Sequence, residues 1–242
     1  MFIKGHCNPS GMKYGNLTII GSSHIARESM NEVKGFIEKE KPDIVAIELD
    51  KHRASALLAK KKSKIRLRDI RKIGVKGYIF SLIGAWAEKK LGEHVGVAPG
   101  SEMKTALKLA MKHNLKIAFI DQDIAITLRR FSNALTWKEK WTFLKDIFRG
   151  LVLRKREVEF DLRKVPPKEV IKILVDKVRK DYPNVYRVLI TERDKVMAAN
   201  LENLMKKYPD KKILAVVGAG HEEGIMENLK PRGGFSYSFS VE

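Results

Sequence analysis

Residues 17–24 read Leu17-Thr18-Ile19-Ile20-Gly21-Ser22-Ser23-His24, and residues 44–48 read Ile44-Val45-Ala46-Ile47-Glu48. Both are short apolar runs, rich in β-branched residues, that end in polar groups. That is the pattern of strands covered on both faces and leaving the core into a loop. Between them, from Glu28 to Lys39, the apolar residues Met30, Val33, Phe36 and Ile37 recur at helical spacing, and Pro42 stops the helix. The unit is β-α-β, so its strands run parallel with a right-handed crossover.

The pattern returns further along the chain. Met103, Ala106, Leu107 and Ala110 mark one face of a helix over 101–113, followed by the strand Lys116-Ile-Ala-Phe-Ile-Asp121. A last buried strand, Ile213-Leu-Ala-Val-Val217, turns at Gly218-Ala-Gly220 into His221 and a helix. The segment Phe235-Ser-Tyr-Ser-Phe-Ser-Val241 alternates with period two and reads as a half-exposed antiparallel edge strand. The expected fold is α/β: a mostly parallel central sheet flanked by helices in one domain over 1–242. Helical insertions at about 54–91 and 124–208, broken at Pro166-Pro167 and Pro183, would cap the sheet edge.

Bulk properties narrow the partners. Cys7 is the single cysteine, which excludes an internal disulfide and a cysteine-based zinc site. Residues 1–16 hold no signal-peptide core, and the most apolar stretch, 79–87, is half a membrane span, so a cytoplasmic protein without a transmembrane anchor is expected. The net charge of +19 admits a nucleic acid, an anionic membrane or an acidic ligand, with 60–72 the densest basic run. A Lys- and Glu-rich surface suited to high temperature accounts for the same charge. Trp137 and Trp141, four apart, read as a helix packing face rather than a base-stacking platform. Homo-oligomerisation is left open by the sequence.

Four strands end in His24, Glu48, Asp121 with Asp123, and His221. Ligands of open parallel sheets bind outside the carboxyl ends of the strands, so topology gathers these residues at one place. The two histidines share a local setting, Gly21-Ser-Ser-His24 and Gly218-Ala-Gly-His221. Glu48 closes an apolar run and needs a partner when buried. It is either half of an ion pair with Arg53, or a metal ligand or general base that Arg53 orients.

His24, Glu48 and His221 suit a catalytic divalent metal with an open position, and the ion could be Zn, Mn or Co. A metal-free route, with an imidazole or Glu48 activating water, remains equally open. Other motifs are missing: Glu223 stands where a dinucleotide fingerprint needs its third glycine, and there is no phosphate loop, Gly-x-Ser-x-Gly elbow or His-Glu-x-x-His pair.

Six segments, in order, carry a resemblance. They are Gly21-Ser-Ser-His24, Val45-Ala-Ile-Glu-Leu-Asp-Lys-His-Arg53, Pro99-Gly-Ser-Glu-Met103, Ile120-Asp-Gln-Asp-Ile-Ala-Ile-Thr-Leu-Arg129, Thr191-Glu-Arg-Asp194 with Met197-Ala198, and Val216-Val-Gly-Ala-Gly-His-Glu-Glu-Gly224. With these the chain resembles the TraB/PrgY proteins, a grouping that includes the Tiki proteases and is related to the erythromycin esterase-like fold. The resemblance implies an active centre of His24, His221, Glu48 and Arg53. It also implies a peptide ligand, since Tiki-type relatives look like metal-dependent proteases and the bacterial namesake is associated with shutting down a peptide pheromone. Glu102, Asp121, Arg129, Glu192 and Arg193 fall in matching motifs as supporting residues. The hydrophobic C-terminal region of longer members is missing from this sequence, which weakens the expectation of a membrane role or of pheromone control.

The leading expectation is a metal-dependent hydrolase of peptide or amide bonds. His24, Glu48 and His221 would hold the metal, Glu48 or Glu102 would be general base, and Arg53 and Arg193 would bind a substrate carboxylate or steady the oxyanion. The partner expected in the cleft is a peptide or small-molecule substrate. The alternatives are a non-catalytic protein that sequesters a peptide or acidic ligand in the same cleft, and a nucleic-acid or anionic-membrane binder driven by charge.

Overall fold

The computed structural model describes residues 11–22, 27–59, 100–139, 141–142, 145 and 168–230. Among the described residues five strands form one sheet: β1 (Met12–Tyr14), β2 (Leu17–Ser22), β3 (Ile44–Ile47), β4 (Lys116–Phe119) and β5 (Ile213–Gly218). The helices are α1 (Arg27–Glu40), α2 (Lys51–Leu58), α3 (Ser101–Lys112), α4 (Ile124–Ala134), α5 (Lys168–Asp181), α6 (Pro183–Tyr186), α7 (Glu192–Lys207) and α8 (Glu222–Leu229). A π-helical turn, Arg187–Thr191, joins α6 to α7.

The sheet order is β1-β2-β5-β3-β4. The pairs β2·β5, β5·β3 and β3·β4 are parallel, and β1 is the antiparallel edge. The mostly parallel α/β sheet anticipated from the buried runs is therefore present, and β5 wedges between β2 and β3. The antiparallel edge in the described residues is Met12–Tyr14, which the sequence did not single out, while the edge strand expected at 235–241 lies outside the described residues. So do the basic run 60–72, most of the insertion expected at 54–91, and Pro166-Pro167. Pro183 does break the helical path, as the first residue of α6; its fixed φ and missing N–H suit that position.

Alternation along the strands divides the core into two layers. Leu17, Ile19, Ile44, Ala46, Ile213, Ala215 and Val217 face Met197, Ala198 and Leu201 of α7 and Ile225, Met226 and Leu229 of α8. Ile20, Val45, Ile47, Leu214 and Val216 face Val33, Phe36 and Ile37 of α1 and Met103, Ala106, Leu107 and Ala110 of α3. The helix α7 runs opposite to the strands. Its far end is tied down where the amide of Asn16, at the start of β2, donates to the carbonyls of Tyr208 (2.9 Å) and Lys211 (2.8 Å). Its first turn lies over the carboxyl ends of the strands, where Arg193 bonds Glu48 and Asp121.

Among the described residues no helix is long and apolar enough to cross a membrane. Trp137 and Trp141, expected to pack, are 75 % and 67 % exposed. Glu139, between them, is buried and ties two parts of the second helical stretch together. It accepts from Thr136 N (3.0 Å) and Oγ1 (2.9 Å), and from Asn184 N (2.7 Å) and Nδ2 (3.1 Å).

Burial pushes the Glu139 carboxyl up, but the hydrogen bonds from Thr136 and Asn184 outweigh it and hold the pKa below the ordinary value. A carboxylate so depressed stabilises the fold fully above its unfolded pKa of about 4.3, and that contribution is lost as pH falls through the lower folded value. Glu139→Gln is expected to flatten the acid limb of stability. Urea midpoints measured between pH 7 and pH 3 should therefore drop less steeply in the variant than in the wild type.

Candidate functional site

Glu48 directly follows β3, and its backbone N–H still bonds Val216 O on β5 (3.0 Å), which fixes the side chain between two strand ends. The carboxylate is 3 % exposed. One oxygen, Oε2, accepts from Gly218 N–H at 2.5 Å. The other, Oε1, accepts from Arg193 Nη2 and lies 3.5 Å from His221 Nε2. A buried carboxylate is thus compensated by a guanidinium and a backbone amide, as its desolvation requires.

Arg193 is the hub. Nε donates to Asp121 Oδ1 (3.1 Å), Nη2 to Asp121 Oδ2 (2.7 Å) and to Glu48 Oε1, and Nη1 to Leu189 O (3.3 Å), with Nη1 also 3.1 Å from His221 Nε2. Burial works against the cation, yet the charge of Glu48 and the hydrogen bond and charge of Asp121 raise its pKa above the ordinary arginine value. Leu189 belongs to the π-helical turn that leads into α7. Such turns displace one residue from the regular ladder and recur at functional sites.

His221, 5 % exposed, sits in the turn between β5 and α8, and its Nδ1 lies 2.6 Å from Asp194 Oδ1. Arginine only donates, so Nε2 is the acceptor toward Arg193; Nδ1 then carries the proton and donates to Asp194. Burial pushes the Asp194 carboxyl above its usual value, against the hydrogen bond and charge of His221 and the charge of Arg193. The approach of α7 to α8 that permits this pairing needs a residue without a side chain at 224, because a Cβ on Gly224 would collide with the Asp194 carboxylate.

Arg53 is placed by local structure. Asp50 caps α2 by accepting from His52 N (2.8 Å) and Arg53 N (2.9 Å), which sets Arg53 in the first turn beyond β3. Its Nη1 reaches Asp121 Oδ2 at 3.2 Å, and its side chain is 36 % exposed. The pairing differs from the one considered in the sequence. Glu48 takes the guanidinium of Arg193, 145 positions on, while Arg53 pairs with Asp121.

Of the residues singled out in the sequence, Glu48, His221, Arg53 and Arg193 come together, with Asp121 bridging the two arginines. Glu102 is buried in the first turn of α3. Glu192 pairs at the surface with Arg130 (3.0 Å). His24 lies outside the described residues; the strand leading to it ends at Ser22, in register with Gly218. Asp194 stands in one of the matching motifs, and the sequence assigns it no role. Its signal was present, since Asp194, Met197, Ala198 and Leu201 share the buried face of α7, and a carboxylate on an apolar face needs a partner.

The family profile of TraB/PrgY/gumN matches residues 12–233. An uncharacterized protein of Methanocaldococcus jannaschii is 38 % identical over 227 residues, which is 91 % of this chain and 55 % of that protein. The human TraB domain-containing protein is 24 % identical over 240 residues, 87 % of this chain and 61 % of that protein, and the bovine one is 24 % identical over 234 residues. The chain therefore spans a little over half the length of these curated relatives.

Gly224→Ala tests the geometry of the His221–Asp194 pair. Overpacking of this kind costs about 1–3 kcal/mol, and the displaced carboxylate should release the imidazole. Nitrogen NMR of the His221 ring is expected to show loss of the Nδ1-protonated form; an unchanged tautomer with unchanged stability would contradict the assignment.

Proposed function

The chain belongs to the TraB/PrgY/gumN family, and from that premise we propose that it is a metal-dependent hydrolase of peptide or amide bonds centred on Glu48, His221 and Arg193. The observation that carries the reading is the relation between Glu48 Oε1 and His221 Nε2, 3.5 Å apart at the tips of adjacent strands, with Asp194 on the far side of the imidazole. Ligand bonds of about 2.1 Å at a tetrahedral angle put two donor atoms about 3.4 Å apart. A carboxylate on the remote nitrogen of a metal-ligating histidine is the usual orienting partner. The donor pair fits a divalent ion of the Zn, Mn or Co class on both counts.

Among the described residues alone, no group of three or more His, Cys, Asp and Glu side chains is arranged to hold an ion; in the proposal His24 is the third ligand. When bound, the ion would supply Lewis-acid polarisation of the scissile carbonyl. The chain's own residues do the rest. Gly218 N–H immobilises Oε2 of Glu48, so Oε1 alone faces His221 and serves as ligand or base. Glu48 takes this role in preference to Glu102 because of that distance. Arg193 holds Glu48 in place through its shared grip on Asp121. Arg53, tied to Asp121 through one nitrogen and partly exposed, offers its remaining donors to a substrate carboxylate.

One observation favours a second reading, a non-catalytic protein that sequesters a peptide. The Glu48–Arg193–Asp121 network uses each guanidinium nitrogen internally, as a structural ion cluster would. Binding without turnover under Zn, Mn and Co would identify it. Association driven by the +19 charge alone would instead weaken steeply with salt.

Protein purified without chelator is expected to carry a divalent metal and to cleave members of a mixed peptide library. His24→Ala and His221→Ala should lose both properties, with kcat/KM falling at least about 100-fold. Metal content and peptide turnover left intact in both variants would refute the hydrolase.

A further inference from the structure

We propose that Arg193 and a divalent cation are alternative occupants of the His221 Nε2 lone pair, so that Arg193 is a built-in competitor for the metal. The inference rests on reading Glu48 and His221 as a metal-holding pair. An imidazole nitrogen has one in-plane lone pair, and here it faces Arg193 Nη1 at 3.1 Å. An N–H and a metal cannot share it. Glu48 Oε1 differs, because a carboxylate oxygen has two lone pairs and can keep the guanidinium while ligating an ion.

Arg193 has partners besides His221. Nη1 also donates to Leu189 O (3.3 Å), and the other two nitrogens are anchored on Asp121 at 3.1 and 2.7 Å. The guanidinium is rigid, so a metal on the lone pair requires it to shift as a whole, with Asp121 as the carboxylate it moves against. A cation held this close also repels a divalent ion, with little screening because its side chain is only 14 % exposed. Removing Arg193 should then strengthen metal binding, the opposite of what loss of a supporting residue does.

The test is calorimetric titration of the full chain with Zn2+, together with the visible absorption of bound Co2+, neither of which depends on turnover. Arg193→Gln is expected to bind at least about tenfold more tightly than the wild type, a gain that His221→Ala abolishes. Because Arg193→Gln strands two buried carboxylates, the double variant Arg193→Gln/Asp121→Asn makes the same comparison with one of those charges removed. Folding is checked by circular dichroism. Equal or weaker affinity in the folded variants, with His221→Ala still reducing it, overturns the competition and leaves the metal site standing. No binding in any protein, or binding indifferent to His221→Ala, overturns the metal reading and the competition together.

Discussion

The guanidinium of Arg193 is bonded to groups from three loops beyond the sheet at once: Glu48 after β3, Asp121 after β4 and His221 after β5. Without a buried cation at that point, Glu48 and Asp121 would be two neighbouring carboxylates removed from water, an arrangement that costs several kcal/mol per uncompensated ion. Arginine suits the position because its planar fork satisfies both oxygens of Asp121 and still reaches Glu48, which a lysine's single ammonium cannot do. The placement of α7 over the strand tips follows from that bond set. Asn16 and Tyr208 fix the opposite end of the same helix.

The same network orders the groups that face one another across the strand tips. Asp194 orients His221, Gly218 orients Glu48, and Arg193 holds the two facing atoms between them. Preorganisation of this kind lowers the cost of arranging groups during a reaction. Leu189, whose carbonyl accepts from Arg193, lies in the π-helical turn that precedes α7.

Much of this was legible in the sequence. Three buried runs, the half-exposed β4 and their parallel packing followed from β-branched composition and intervening helical periodicity, and Glu48 and His221 were marked by standing where apolar runs end. The resemblance supplied Arg193, which composition alone would have left among many basic residues. The antiparallel edge at Met12–Tyr14 escaped because three residues are too few for a period to show. The Glu48–Arg53 pair was a plausible local choice, since the residues lie five apart. The cap by Asp50 instead starts α2 so that Arg53 reaches Asp121.

The sequence by itself determined four of the five described strands, the helices that pack on them and the polar residues at their ends, because those properties depend on side-chain spacing within a few residues. Only the tertiary structure decided that β5 lies between β2 and β3, that Arg193 is the counter-ion of Glu48, and that Asp194 orients His221. Those outcomes are set by the packing of surfaces distant in the chain. A charge buried by such packing takes whichever opposite charge the fold brings within reach, and spacing along the polymer does not encode that choice.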